Sequence, residues 1–191
     1  MNLWFRMVWV ILGALLTRPR LSHWTSLSRI RLHVWPNDLD TNFHLNNGRY
    51  LTIMDLGRFD LLLRSGLWAM VRRAKAVPIL ASAQIRYRFP LDAFDPFYLE
   101  SQVMGWDAKW IYIVQHFIAA SGVNKGKVAA VGLVKAAFFD PARKSTIPTA
   151  EIMQNLGEEG VFPPLPPVIL SFQEAESDLR DYTAQAVSRG T

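Results

Sequence analysis

The sequence predicts an α+β fold in which a curved antiparallel sheet of about five strands wraps one long helix. Three observations predict it. A helical pattern follows a first strand-like stretch, four further strand-like stretches follow that helix, and Gly57 lies in the middle of the helix's apolar face. Gly is unfavourable inside a helix unless a neighbouring element approaches closely, so we expect tight packing of the sheet on this helix.

The N-terminal segment, residues 1–27, begins with an apolar stretch. From residue 3 to residue 16 the one charged side chain is Arg6. A helix of this length is about 21 Å long, shorter than the roughly 30 Å hydrocarbon core of a bilayer. A simple membrane span is therefore disfavoured. The Arg and Pro residues that follow are atypical of a signal-peptide cleavage site.

Two main interpretations of this segment stay open, with a short signal anchor as a third. In the first, the helix lies in a membrane interface, with Trp4 and Trp9 as anchors and Arg18 and Arg20 on lipid phosphates. In the second, it docks on the protein's own apolar surface. The sequence alone does not choose between them.

The predicted body, residues 28–140, begins with a strand over 28–35, in which apolar and polar residues alternate. The long helix covers 48–65. Asn46 or Asn47 is suited to cap its start, and Gly66 to end it. On this helix the sequence predicts an ion pair of Asp55 with Arg58, and a surface pair of Asp60 with Arg64.

Four strands are predicted after the helix, and the last two are richer in apolar residues and therefore central. They cover 82–89, 97–104, 109–120 and 127–139. The rest of the chain, 141–191, is predicted as a C-terminal extension with a polar-faced helix over 171–187.

The junction between the first strand and the helix is rich in small polar side chains. A helix start presents backbone N–H groups without partners and the positive end of the helix dipole, which together suit an oxyanion. A carboxylate about seven residues upstream can face a carbonyl whose oxygen points at those N–H groups. The pattern indicates acyl transfer. The alternative is that these are ordinary turn and capping residues.

A thioester is the acyl group that suits such a site. Asp is a weak nucleophile and base, so an amide, whose leaving group must be protonated, is a poor substrate. A thiol leaving group has a pKa of about 8.5 by analogy with Cys and departs without much acid assistance.

The junction resembles that of the hotdog-fold thioesterases of the 4-hydroxybenzoyl-CoA thioesterase type, in particular the thioesterase superfamily member 6-like branch. The shared pattern, D-x-D-x-x-x-H-x-N-N-x-x-Y, is filled by Asp38, Asp40, His44, Asn46, Asn47 and Tyr50. The helix that follows and the "IRYRFP" strand are also similar to that family. The resemblance covers roughly residues 28–140 and implies a hotdog fold.

The resemblance implies a role for each residue of the junction. Asp40 is the expected catalytic carboxylate, which attacks the thioester carbonyl or activates a water. Asn47 offers its backbone N–H to the carbonyl oxygen, Asp38 is a structural turn residue, and His44 and Asn46 orient the loop or Asp40. Some hotdog enzymes use a carboxylate on the helix instead, so Asp55 is a second candidate.

The expected function is an acyl-CoA thioesterase, and the alternative is a non-catalytic acyl-binding or membrane-associated hotdog protein. A hydratase is disfavoured because one acid–oxyanion arrangement is present. No cofactor and no metal are expected, since the chain has no Cys and its histidines lack ligand spacing.

The expected partners are an acyl-CoA substrate and a second copy of the chain, in a homodimer or dimer of dimers. The net charge of +5 suits phosphates or an anionic membrane surface. Nucleic acid is not expected, because no recognition motif accompanies the charge. The expected location is the cytoplasm, at the periphery of a membrane if the N-terminal helix lies in the interface.

Overall fold

The computed structural model describes residues 3–157 and 162–189, with side chains up to residue 186. Its helices are α1 (Leu3–Leu16), α2 (Asn47–Arg64), α3 (Leu67–Ala74), α4 (Thr149–Asn155) and α5 (Pro167–Arg189). Its strands are β1 (Ser28–His33), β2 (Val77–Tyr87), β3 (Pro96–Trp106), β4 (Ile111–Ala119), β5 (Val128–Asp140) and β6 (Ser145–Thr146). A short 3₁₀ helix, Pro36–Asp38, follows β1.

The strands form one antiparallel sheet in the order β1-β3-β4-β5-β2, with β6 on β5. The long helix α2 packs on this sheet, and its residues Ile53, Met54 and Leu56 are fully buried in the main apolar core with Phe97 and Phe117. The predicted arrangement of one long helix and an antiparallel sheet is therefore confirmed. The central position of the two apolar strands is also confirmed, because β4 and β5 each have a neighbour on both sides.

Gly57 lies where α2 approaches the sheet most closely. A Cβ atom at this position would lie 2.8 Å from a Leu99 methyl carbon and would overlap the hydroxyl of Ser101. The buried Gln115 side chain completes this contact, since its amide donates to Ser101 Oγ at 2.8 Å and to the carbonyl oxygen of Met54 at 2.9 Å. The close approach predicted from the glycine is confirmed.

The two elements that directly follow α2 differ from the prediction, and further along the chain β6 and α4 were not predicted and α5 begins at residue 167 rather than 171. The helix α3 was not predicted, although it buries Leu67, Met70 and Val71, because eight residues are too few for a clear helical period. The strand β2 begins at Val77 rather than at residue 82, and it contains Pro78. Pro is tolerated there because β2 is an edge strand, so the missing N–H interrupts no ladder on its outer side.

The helix α1 docks on the body through one face and exposes the other. Its buried residues are Arg6, Val10 and Ala14. The opposite face carries seven large apolar side chains: Trp4, Phe5, Val8, Trp9, Leu12, Leu15 and Leu16. In the described part of the chain, no helix is both long and apolar enough to cross a membrane.

Asp60 corrects the prediction of a surface pair. Its carboxylate is fully buried, and it accepts hydrogen bonds from Arg64 Nη1 at 2.9 Å, from Ser28 Oγ at 2.5 Å and from Arg18. The N-terminal segment covers this side of α2, which local spacing on the helix does not reveal. Arg18 therefore points into the protein, and not to lipid phosphates as the interfacial interpretation predicted.

The C-terminal helix α5 covers part of the outer face of the sheet. Its residues Ile169 and Phe172 are buried against Tyr112 and Leu133 in a second apolar cluster. Its outer face is exposed and carries charged residues, as predicted for 171–187, but it also exposes Leu170, Leu179 and Tyr182. Lys135 of β5 pairs with Glu176. The division of the chain at residues 27 and 140 stays a prediction.

Candidate functional site

The candidate site is the loop that joins β1 to α2. Three backbone contacts close this loop on itself: Asn46 N–H donates to the Asp38 carbonyl oxygen at 2.8 Å, Asp40 N–H donates to that of His44 at 2.8 Å, and Leu39 bridges Leu45. The loop thus returns to its own start, which brings Asp40 back toward the first turn of the helix.

The Asp40 carboxylate is fixed by the backbone of its own loop. Its Oδ1 accepts from the N–H of Asn42 at 2.8 Å and from that of His44 at 3.1 Å. Among the described residues, Oδ2 has no hydrogen-bond partner, and the side chain is partly exposed. One oxygen is therefore held in place while the other is free to meet a substrate or a water.

The start of α2, at the end of the same loop, presents a backbone donor. Asn46 caps the helix, and its side-chain oxygen accepts from Gly48 N–H at 2.9 Å. Asn47 is the first helical residue, so its N–H has no intrahelical partner, and no other partner is found for it in the described ranges. Tyr87, at the end of β2, donates its hydroxyl to the Asn47 carbonyl oxygen at 2.9 Å.

Tyr50 connects the carboxylate electrostatically to the first turn of the helix. Burial raises the pKa of its phenol well above the usual value near 10, and the neighbouring Tyr87 and Asp40 raise that pKa further. Its ring packs edge-on against that of Tyr87, with 5.0 Å between centroids, and also contacts Phe117. The phenol therefore stays neutral near Asp40.

His44 and Asp55 occupy different places from Asp40. The backbone of His44 holds Asp40, whereas its imidazole Nε2 lies 3.4 Å from Asp92 Oδ1 on the next loop. Asp55 forms the predicted ion pair with Arg58, whose other nitrogen donates to Gln115 at 2.8 Å. Eight residues of helix place Asp55 about 12 Å from Asn47. Backbone hydrogen bonds thus link Asp40 to His44 and Asn46 to Asp38, and Asn47 follows as the first helical residue, whereas Asp55 lies apart from this loop.

Asp55 lies at an apolar cavity between α2 and the sheet. The cavity has a volume of about 170 Å³. It is lined by aromatic and aliphatic side chains of α2, β2 and β5, including Phe59, Leu62, Ile79, Leu80 and Phe138. Such a lining suits an acyl chain better than a polar group.

Asp38 is the structural residue of the loop, and its carboxylate is fully buried. Oδ1 accepts from Arg49 Nε at 3.1 Å and Nη2 at 2.9 Å, whereas Oδ2 accepts from Trp35 N–H at 3.0 Å and from Arg6. Four donors on one carboxylate make it a junction between three elements: α1, the loop and α2.

Sequence reasoning missed three residues of this arrangement: Arg6, Arg49 and Tyr87. Arg6 had a visible signal, because it is the single charge in an apolar helix, and a charge is retained in apolar surroundings when it has a partner. Arg49 and Tyr87 had no such signal, since the first occupies an unspecified position of the motif and the second lies 37 residues beyond Tyr50 along the chain.

Phe43 has an unusual backbone conformation at the tip of the loop. Its φ is +60°, a left-handed value that bulky residues rarely adopt, and its side chain is 73% exposed.

Across the described ranges, no cluster of three or more His, Asp or Glu side chains is arranged to hold a metal ion.

The chain is similar in sequence to one family model and to several curated proteins. Residues 34–172 match the family model of the thioesterase-like superfamily. The chain is 32% identical to Protein THEM6 of Danio rerio over 139 residues, which are 70% of this chain and 65% of that protein. Matches to two other THEM6 proteins cover 42% and 46% of the relatives' lengths, so the chain spans about half to two thirds of the curated relatives it matches.

The solved structures that are similar share the fold. The structure of YbaW, a probable thioesterase from Escherichia coli, has a TM-score of 0.61 at 22% identity over 71% of this chain and 98% of that one. SAV2348 of Staphylococcus aureus, solved in complex with CoA, has a TM-score of 0.56 at 14% identity over 75% and 91%. These matches confirm the hotdog fold, and the chain belongs to the thioesterase-like superfamily.

Proposed function

We propose that the chain is an acyl-CoA thioesterase that uses Asp40 as its carboxylate and the Asn47 N–H as its oxyanion donor. The observation that supports it is the fixed Asp40 carboxylate, with one free oxygen, in a loop that folds back to an unpaired helix start. A free amide is present at any helix start, so the distinguishing feature is the fixed, partly exposed carboxylate in the loop that folds back.

In the proposed reaction, the thioester carbonyl oxygen accepts a hydrogen bond from Asn47 N–H, which stabilises the negative charge of the tetrahedral intermediate. Asp40 either attacks the carbonyl carbon or removes a proton from an attacking water. The C–S bond then breaks, and coenzyme A leaves as the thiolate. If Asp40 has attacked the carbon, a water then hydrolyses the anhydride that has formed, which restores the carboxylate and releases the acid. On either route, the proton lost by water neutralises the thiolate. No step needs a cofactor.

The substrate class is proposed from chemistry on the chain and from its relatives. The apolar cavity at Asp55, about 12 Å along α2 from Asn47, suits the distal part of an extended aliphatic acyl chain. The excess positive charge suits the phosphates of coenzyme A. The CoA complex of the Staphylococcus aureus protein supports a coenzyme A thioester.

Thiol release from a series of acyl-CoAs of rising chain length tests the proposal. The chain has no Cys, so a thiol-reactive dye detects no background from the protein. Asp40→Asn keeps an Oδ1 acceptor for the Asn42 and His44 amides and removes the charge, and we expect a loss of kcat of about a hundredfold or more. Asp55→Asn tests the second candidate carboxylate, and it should retain kcat because Asp55 is paired with Arg58 and lies apart from the loop.

Two results would contradict the proposal. If Asp55→Asn loses kcat and Asp40→Asn does not, the helix carboxylate is the catalytic group. If wild type and Asp40→Asn are equally slow on every substrate but bind acyl chains, the chain is an acyl-binding protein of the same fold.

We further propose a homodimer through β2. This strand has a neighbour on one side, and Val77, Leu80 and Tyr87 are exposed on it. An exposed edge with apolar side chains is a template for pairing with a second strand. The candidate site would then lie beside the dimer interface, because Tyr87 of β2 is hydrogen-bonded to Asn47. Sedimentation of wild type and Leu80→Lys tests this, with a shift to monomer expected for the variant.

We also propose that the exposed face of α1 rests on an anionic lipid surface. Trp4 and Trp9 are 75% and 72% exposed, and Arg20 is exposed just beyond the helix. Vesicles with anionic lipid should shift the tryptophan emission to the blue and sediment the protein, whereas Trp4→Glu with Trp9→Glu should abolish both effects. Binding that survives these changes would contradict the proposed surface.

A further inference from the structure

The single charge of α1 is buried against the loop of the candidate site. Arg6 is 2% exposed, and its Nη2 donates to the carboxylate of Asp38 and to the His33 carbonyl oxygen at 3.2 Å. Its other terminal nitrogen, Nη1, is buried with no partner in the described part of the chain. The charge of Arg6 therefore has the Asp38 carboxylate as its counter-ion, and this contact joins α1 to the loop.

Asp38 connects Arg6 to the rest of the loop and to α2. Its carboxylate joins Arg6 of α1 to Arg49 in the first turn of α2, and its own carbonyl oxygen holds the amide of Asn46. Asp38 lies two residues before Asp40 and next to the helix cap in space. A shift of Asp38 therefore moves the carboxylate and the oxyanion donor relative to each other.

We propose that Arg6 is a positioning residue. Through Asp38, it fixes the position of the loop that carries Asp40 relative to the start of α2. The proposal rests on the proposed function, in which Asp40 and the Asn47 N–H act on the same carbonyl. It makes α1 part of the active site's framework, although no residue of α1 touches the substrate.

Arg18, in the same N-terminal segment, provides a matched control for Arg6. Arg18, in the turn after α1, pairs with the buried Asp60 and donates to the Val10 carbonyl oxygen at 3.1 Å. Asp60 lies 13 residues after Asn47 in α2, about 20 Å along the helix. Arg6 and Arg18 thus both tie the N-terminal segment to the body through a buried carboxylate, and Arg6 alone does so at the loop.

The experiment compares Arg6→Met and Arg18→Met in the full chain, below the melting temperature of both. Arg6→Met is expected to lower kcat by about ten- to hundredfold, because small displacements of reacting groups have effects of this size. KM should stay unchanged, since Arg6 does not contact substrate. Arg18→Met should leave kcat unchanged. Arg6→Lys, which keeps the charge and one donor, should restore part of kcat.

Amide hydrogen exchange of the loop tests the same contact without any assay of activity. The amides of Asp40, Leu45 and Asn46 are hydrogen-bonded in the structure, to His44, Leu91 and Asp38 respectively. They should exchange faster in Arg6→Met than in Arg18→Met. This separates the two proposals: if wild type hydrolyses no thioester, the proposed function fails, and the exchange rates still decide whether Arg6 holds the loop.

The proposal is overturned if the two variants have equal loop exchange, or if they lose kcat equally. Either result would mean that Arg6 contributes to the fold as Arg18 does. A rise in KM with kcat unchanged would also overturn it, because that pattern belongs to a residue that binds substrate.

Discussion

Asp38 and Asp60 are both fully buried, and each is bound by one arginine from α2 and one from the N-terminal segment. Their surroundings differ. Asp60 lies within α2, where the helix itself fixes its position, whereas Asp38 lies in a loop that has no regular structure beyond one short 3₁₀ turn. Both clusters join the N-terminal segment to α2. The cluster at Asp38 also holds the loop of the candidate site.

The largest expected effect comes from removing each carboxylate. Asp60→Ala and Asp38→Ala leave two arginines without their partner, and we expect each to lower the free energy of unfolding by about 3–5 kcal/mol. Urea unfolding followed by tryptophan fluorescence measures this. A loss below about 1 kcal/mol at either site would mean that solvent reaches the arginines there.

Replacement of whole clusters by apolar residues sharpens the comparison. Asp60→Leu combined with Arg18→Met and Arg64→Met should return the free energy of unfolding to within about 2 kcal/mol of wild type, because no charge is left buried alone.

The corresponding change at the loop is Asp38→Leu with Arg6→Met and Arg49→Met. It should recover stability to a similar degree and yet leave kcat low, since the contacts that position Asp40 are gone. Equal kcat in the two triple variants would remove the distinction between the clusters.

Gly57 lies between the two clusters on α2, where the helix approaches the sheet closely. Gly57→Ala tests how firmly this part of α2 is held on the sheet. The added Cβ overlaps Ser101 and a Leu99 methyl group, so we expect a loss of about 1–3 kcal/mol in the free energy of unfolding. Unchanged stability in urea would show that α2 moves away from the sheet easily.

Phe43→Asn has the smallest expected effect and concerns the loop alone. Asn adopts a left-handed conformation more readily than Phe, and the exposed ring gives up little burial. The variant should gain about 1 kcal/mol in the free energy of unfolding. A loss instead would indicate that the Phe43 ring packs on a neighbour in solution.

Local patterns predicted the parts of the fold that local forces determine. The helix α2, its Asn46 cap and the close approach at Gly57 follow from periodicity, capping chemistry and the absence of a Cβ. The helix α3 and the early start of β2 were missed because the first is short and the second contains a proline.

The part of the candidate site that the sequence predicted also depends on local forces. The loop brings Asp40, His44, Asn46 and Asn47 together within ten residues of sequence, so their proximity is a local property. The contact of Arg6 with Asp38 joins residues that are 32 apart, and that of Arg18 with Asp60 joins residues that are 42 apart. Such pairs depend on tertiary packing, which periodicity does not encode.

The core extends beyond the segment that carries the chemistry. Val10 of α1 and Ile147, Ile152 and Met153 near α4 belong to the main apolar cluster. A polypeptide cut to the junction, the long helix and the five strands would leave these contacts unfilled and expose Asp38 and Asp60. We therefore expect the smallest unit that folds stably to be longer than the smallest unit that contains the reacting groups.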